Sequence, residues 1–243
     1  MNQIFFFIFV ISIFAGIGMS CSWLRLSAKQ SRFLTVLLGA AISIPFSTIV
    51  YVHGLSTGVI FWILCAWSLC GFIMWFVSER IGNHLRRLKA NRVFHAVWMI
   101  SAVILIAPRL TGGTQFAVYQ ANRWDTFGYL ESSSAYSRYS FDFIERATLS
   151  DQLSDPLLVQ GQIQMFVRPS VHMFYGVVSH LFPGESWDLH YTFLISFALL
   201  SAFACAFFLS SLFRVRSVPA MLAGAAFSLG FWGQYSLDIN AWS

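Results

Sequence analysis

The run TGVIFWILCAWSLCGFIMWFV, Thr57 to Val77, places 21 residues in a row without a charge. Wound as a helix it is about 30 Å long, the thickness of a bilayer hydrocarbon core. Five further runs of this kind flank it: Ile4 to Leu24, Phe33 to Val52, Ala90 to Leu110, Tyr191 to Phe213 and Val218 to Tyr235. The run Ala90 to Leu110 is the weakest, because its uncharged part, Val93 to Pro108, is short enough to need Arg92 and Arg109 to snorkel toward opposite interfaces. With 57% hydrophobic and 10% charged residues, 26 Phe and 9 Trp, a soluble domain of this composition would be covered in apolar surface. The sequence therefore predicts an all-α polytopic membrane protein with about six transmembrane helices.

Met1 to Phe7 contains no basic residue and the apolar run after it outlasts a signal h-region, so the first span reads as a retained helix. Ser12, Gly16 and Ser20 recur every four residues along it and form a small-residue stripe suited to close helix packing. Pro45 is expected to kink the second span, and Gly224, Gly230 and Gly233 punctuate the sixth.

Orientation follows from Lys and Arg. Arg25, Lys29 and Arg32 fall in one short loop, Arg80, Arg86, Arg87, Lys89 and Arg92 in a second, and Arg214 and Arg216 after the fifth span. Short cytoplasmic loops retain such residues. The amino terminus and the 82-residue polar segment Arg109 to His190 are then expected outside the cytoplasm, in a multi-pass plasma (inner) membrane protein. Topology and anionic headgroups account for the net charge of +5, which gives no reason to expect nucleic acid.

Cys21, Cys65, Cys70 and Cys205 fall within or at the end of spans, implying neither a disulfide framework nor a zinc site. The six spans hold no acidic residue, and His95 is the one ionisable side chain well inside an apolar stretch. Ion-coupled transporters commonly set such groups at bilayer depth, so transport ranks third among the functions considered.

Chemistry is concentrated in the long segment, which holds eight of the ten acidic residues. Three short helices at the membrane surface are expected there: Asp125 to about Tyr139, Ser140 to about Leu153, and Arg168-Pro169 through Phe182. At 100° per residue Asp125, Tyr129, Ser132 and Tyr136 share one face of the first. Asp125 suits a helix N-cap, and equally a general base or metal ligand held at the membrane surface. Arg168 suits interfacial snorkelling or a lipid phosphate, and His172, one turn on, a surface position. Glu131 lies about 240° round from Asp125 and forms no carboxylate pair with it.

The stretch Trp124-Asp125-Thr126-Phe127-Gly128-Tyr129-Leu130, the element Arg168-Pro169-Ser170-Val171-His172, and the turn Arg214-Val215-Arg216 between two spans together resemble the amino-terminal part of polytopic GT-C glycosyltransferases. The resemblance covers about Val93 to Ser243. It divides the chain into residues 1–89, three spans and a basic cytoplasmic loop, and residues 90–243, a GT-C-like core portion with its external loop 109–190. It implies transfer of a sugar from a polyprenyl-phosphate donor to an acceptor outside the cytoplasm, with an acid in the external loop as the essential group. On that resemblance Asp125 is the catalytic residue and the metal ligand if a divalent metal takes part. Arg168 holds the departing phosphate, with Arg123 and Arg109 behind it, while Tyr129, His172 and Asp238 complete the substrate site. Asp125 stands alone where the family often has two near-adjacent acids, and the chain ends at Ser243, so a fragment of a longer enzyme is one expectation. The alternative is a non-enzymatic membrane subunit or envelope-assembly protein whose external helices bind a membrane-protein partner.

Overall fold

The computed structural model describes residues 2–21, 28–78, 96–101, 103–104, 124–167, 169–180, 182 and 186–229. Among the described residues the chain forms ten helices and no strand. They are α1 (Asn2–Ser20), α2 (Ala28–Val52), α3 (Thr57–Ser78), α4 (Trp124–Arg138), α5 (Phe141–Arg146), α6 (Leu149–Ser154), α7 (Leu157–Val167), α8 (Pro169–Val178), α9 (Ser186–Leu212) and α10 (Ser217–Leu229). Residues 96–101 are helical as well.

Among the described residues three stretches are long and apolar enough to cross a membrane: Leu34–Val52, Thr57–Val77 and Thr192–Leu212. Apolar but shorter are Ile4–Ser20 and Ser217–Ser228. Most of the expected span Ala90 to Leu110 lies outside the described residues, as does the end of the sixth beyond residue 229. Trp62, Leu69 and Val77 are 60%, 61% and 77% exposed on α3, a surface stable only in lipid. These features mark a membrane protein.

Small residues set the packing of the first three helices. A Cβ on Gly16 would collide with Ser68 of α3, and one on Gly39 of α2 would collide with the Phe14 carbonyl. Backbones approach this closely only where side chains vanish, the usual means of helix association where lipid removes the hydrophobic drive. The other two members of the predicted stripe make polar contacts with α3: Ser68 Oγ donates to Ser12 O at 3.0 Å and Trp67 Nε1 donates to Ser20 Oγ at 2.9 Å. Pro45 is contained within α2, which continues to Val52.

Where three surface helices are expected, the described residues between Trp124 and Val178 form five. α4 and α7 lie antiparallel: Ala135 abuts Gly161, and Tyr139 O–H donates to Asp155 Oδ2 at 2.7 Å. α7, absent from the sequence reading, pairs along α4 and ends at Val167; α8 starts at Pro169 and returns. The single helix expected over Ser140 to Leu153 is broken at Ala147-Thr148. There Thr148 and Asp151 form a capping box that starts α6, while the Gln162 side-chain amide donates to Ile144 O at 2.7 Å and Ala147 O at 3.2 Å to close α5. The expected third helix stops at Val178, four residues short of Phe182.

α8 is a core element, where the sequence reading places a surface helix. Its outer end is fixed at the start of α3, since His180 lies against Gly58 and 6.1 Å from the Phe61 ring. From there α8 runs along α2, and Phe174 stacks on Phe14 at 5.3 Å. Phe14 in turn touches Gly39, about 20 Å along α2 from Val52. With 10 residues, α8 spans about 15 Å, half of a bilayer core. α7 and α8 thus form an open hairpin with α4 between its arms, and α8 packs beside α2 and α3, which carry membrane-crossing stretches.

Candidate functional site

α4 carries the acid singled out in the sequence. It starts at Trp124, so Asp125 occupies its first turn, where free N–H groups and the helix dipole favour a carboxylate. The side chains of Asp125 and Tyr129 lie outside the described part of the structure, but their shared face does not. Ser132 and Tyr136, the other two members, are 0% exposed. The Ser132 and Tyr136 part of that face therefore turns inward, away from water.

Three helices receive that part. Tyr136 O–H donates to Gly161 O of α7 at 3.2 Å, and its ring meets Tyr51 of α2 edge-on at 5.9 Å. Burial pushes the Tyr136 phenol well above its ordinary range, so it stays a neutral donor. On α8, a Cβ at Gly176 would stand 2.8 Å from Ser133 O, a contact that only glycine permits. The register Ala135–Gly161, Tyr139–Asp155, extended along α4, brings residue 125 within about one turn of the level of Val167, where α7 gives way to α8.

His172 sits on α8 at 2% exposure, about 9 Å down the helix from Val178. This corrects the surface position expected for it: Phe14 and Phe193 close over the neighbouring Phe174, and Phe6 and Phe193 over Tyr175. The sequence reading missed three further buried polar groups: Ser133 of α4, and His190 and Thr192 at the head of α9. His190 lies edge-on to Tyr175 at 5.6 Å. Thr192 Oγ1 is buried without a hydrogen bond among the described residues, while Ser196 Oγ donates to Thr192 O at 3.3 Å. The available signal was position, since two polar side chains stand at the very start of the apolar run.

Glu131, on the other side of α4, is half-buried, and desolvation raises its carboxyl above the ordinary value. It makes no ion pair among the described residues. Arg109, Arg123, Arg168 and Asp238 lie outside the described residues, though Arg168 directly precedes α8 in sequence. No cluster of three or more His, Cys, Asp or Glu side chains occurs among the described residues. The tight basic turn at Arg214-Val215-Arg216 is present, joining α9 to α10; Arg214 adopts φ 56° and Val215 N–H donates to Leu209 O at 3.2 Å. Beyond it the two helices run antiparallel, Ser228 Oγ donating to Ala198 O at 2.7 Å.

The structure thus brings together α4, α8 and the head of α9, with hydroxyl and imidazole groups buried between aromatic rings. No protein-family model matches this chain, and neither a curated protein nor a solved structure matches it.

Proposed function

We propose that the chain is a membrane glycosyltransferase of GT-C type, moving a sugar from a polyprenyl-phosphate-linked donor to an acceptor on the extracytoplasmic side. In this reading the six apolar runs all cross the membrane and the segment 109–190 lies on the far side of it from the basic loops. The observation that supports it best is the inward turn of Ser132 and Tyr136 on α4 beside α8, because both are fully buried and Gly176 abuts Ser133. The helices bearing Asp125, Tyr129 and His172 are therefore neighbours, and Arg168 precedes one of them.

The chemistry asks little more. A carboxylate at Asp125 accepts the proton of the acceptor hydroxyl as its oxygen attacks the anomeric carbon; the bond from that carbon to the phosphate oxygen breaks, and polyprenyl phosphate leaves. A guanidinium at Arg168, with Arg123 nearby in sequence, neutralises the departing phosphate through paired N–H donors. Tyr129, His172 and Asp238 supply sugar and acceptor contacts. A site beside the apolar hairpin suits a donor whose carrier is itself a lipid.

The test is direct. The full chain in proteoliposomes is given radiolabelled polyprenyl-phosphate sugars and an extract of envelope acceptors, and release of polyprenyl phosphate is followed. Time-dependent transfer of label to acceptor is expected; no transfer from any hexosyl or pentosyl donor would remove the assignment.

A further inference from the structure

We propose that α5 and α6 form a foot lying in the bilayer interface, with Leu149 and Leu153, assisted by Phe143, inserted among lipid chains. The inference is independent of the sugar-transfer reading and starts from an anomaly of exposure. Leu149 and Leu153 are 72% and 78% exposed and Phe143 is 45% exposed, on two helices of 6 residues each. Exposed apolar side chains this large, held rigidly, mark a contact surface.

Rigidity is built in. Thr148 and Asp151 cap each other at the head of α6, Ser140 caps α5, and Gln152 Nε2 donates to Gln162 Oε1 of α7 at 2.6 Å. With Gln152 held toward α7, helical geometry sets the rest of α6. Leu149 and Leu153, four apart, fall within about 40° of each other, Asp151 and Ser154 lie on the opposite arc, and Ser150 and Gln152 occupy the two flanks. One and a half turns thus present an apolar edge and a polar back, as an interfacial helix does.

Continuity with the lipid-facing surface identifies the occupant. Phe141, the first residue of α5, meets Tyr51 of α2 edge-on at 6.1 Å, and Tyr51 O–H donates to Tyr139 O at 2.6 Å. Tyr51 adjoins the end of a membrane-crossing stretch whose Ile49 and Val52 are 57% and 40% exposed. The foot is therefore attached at the level where α2 leaves the hydrocarbon, which is where apolar side chains on an in-plane helix reach acyl chains. Tyr139, stacked on Phe143 at 5.1 Å, supplies the aromatic contact usual at that depth.

Spin labels test the orientation. Single cysteines are placed at Leu149, Ser150, Leu153 and Ser154 in a chain whose Cys21, Cys65, Cys70 and Cys205 are changed to Ser, reconstituted in phosphatidylcholine vesicles. Collision with oxygen, which partitions into lipid, is expected to dominate several-fold over collision with an aqueous nickel chelate at 149 and 153, with the reverse at 154 and an intermediate ratio at 150. A second measurement needs no cysteine replacement: a benzophenone amino acid at Leu149 or Leu153 of the otherwise native chain should give lipid adducts on illumination. Aqueous accessibility at all four labels, or adducts to protein in place of lipid, would overturn the proposal.

Discussion

At the scale of single residues, the junction between α5 and α6 turns on Thr148. Its hydroxyl donates to Asp151 Oδ2 at 2.6 Å and its backbone N–H donates to the same oxygen at 2.8 Å. These two donors hold the Asp151 carboxyl below its ordinary value of 3.8. A carboxyl whose value is depressed on folding adds stability above its unfolded value, and that stability is lost as pH falls through the folded value. The protection factor for amide exchange over residues 150–154, followed by mass spectrometry, is therefore expected to fall on acidification below about pH 4. Replacing Thr148 by Ala removes the cap, costs α6 about 1 kcal/mol, and should flatten the pH response. An unchanged acid profile in Thr148→Ala would disprove the linkage.

At the scale of elements, the hairpin α7–α8 is the departure from what the sequence foretells. The expected crossing runs Phe33 to Val52, Thr57 to Val77 and Tyr191 to Phe213 coincide with the membrane-crossing stretches of α2, α3 and α9, because long uncharged apolar runs have one physical solution in lipid, while the first run forms α1, apolar but shorter. The small-residue stripe Ser12, Gly16, Ser20 was also legible, since it depends only on residue volume. α7 was not: LLVQGQIQMFV carries Gly161 and three Gln, and its start signal, Asp155-Pro156 with Asp155 Oδ1 accepting from Leu157 N–H at 3.0 Å, stands alone before a run without clear periodicity, so its helicity rests largely on pairing with α4. The Thr148 and Asp151 pair could have been read as a helix start, and the assumption of one continuous interfacial helix hid it. His172 illustrates the remaining loss. A lone imidazole among Val171, Met173 and Phe174 looks superficial until α1 and α9 are known to close around α8, a fact set by tertiary contact alone. The burial can be tested without reference to function. Replacing Phe174 by Ala is expected to cost about 3 to 5 kcal/mol in denaturant unfolding in detergent, as for other buried aromatics. A loss below about 0.5 kcal/mol, the ordinary cost at a surface site, would return α8 to the surface.

At the scale of the whole molecule, membrane-crossing helices and a polar, aromatic junction between α4, α8 and α9 make one device. Ser132, Ser133 and Tyr136 of α4, His172 and Tyr175 of α8 and His190 and Thr192 of α9 are buried where these helices meet. Sequence alone supplied the acid and its face on α4, and the structure added the inward direction of the Ser132 and Tyr136 part of that face together with Ser133, His190 and Thr192. The central claim is that Asp125 performs the proton transfer in sugar transfer. It is tested by comparing label transfer from a polyprenyl-phosphate sugar by the native chain and by Asp125→Asn in the same vesicles, with unfolding midpoints measured in parallel. The account predicts loss of transfer by at least about 100-fold, the usual contribution of a general base, at an unchanged midpoint; native-level transfer by Asp125→Asn would contradict it.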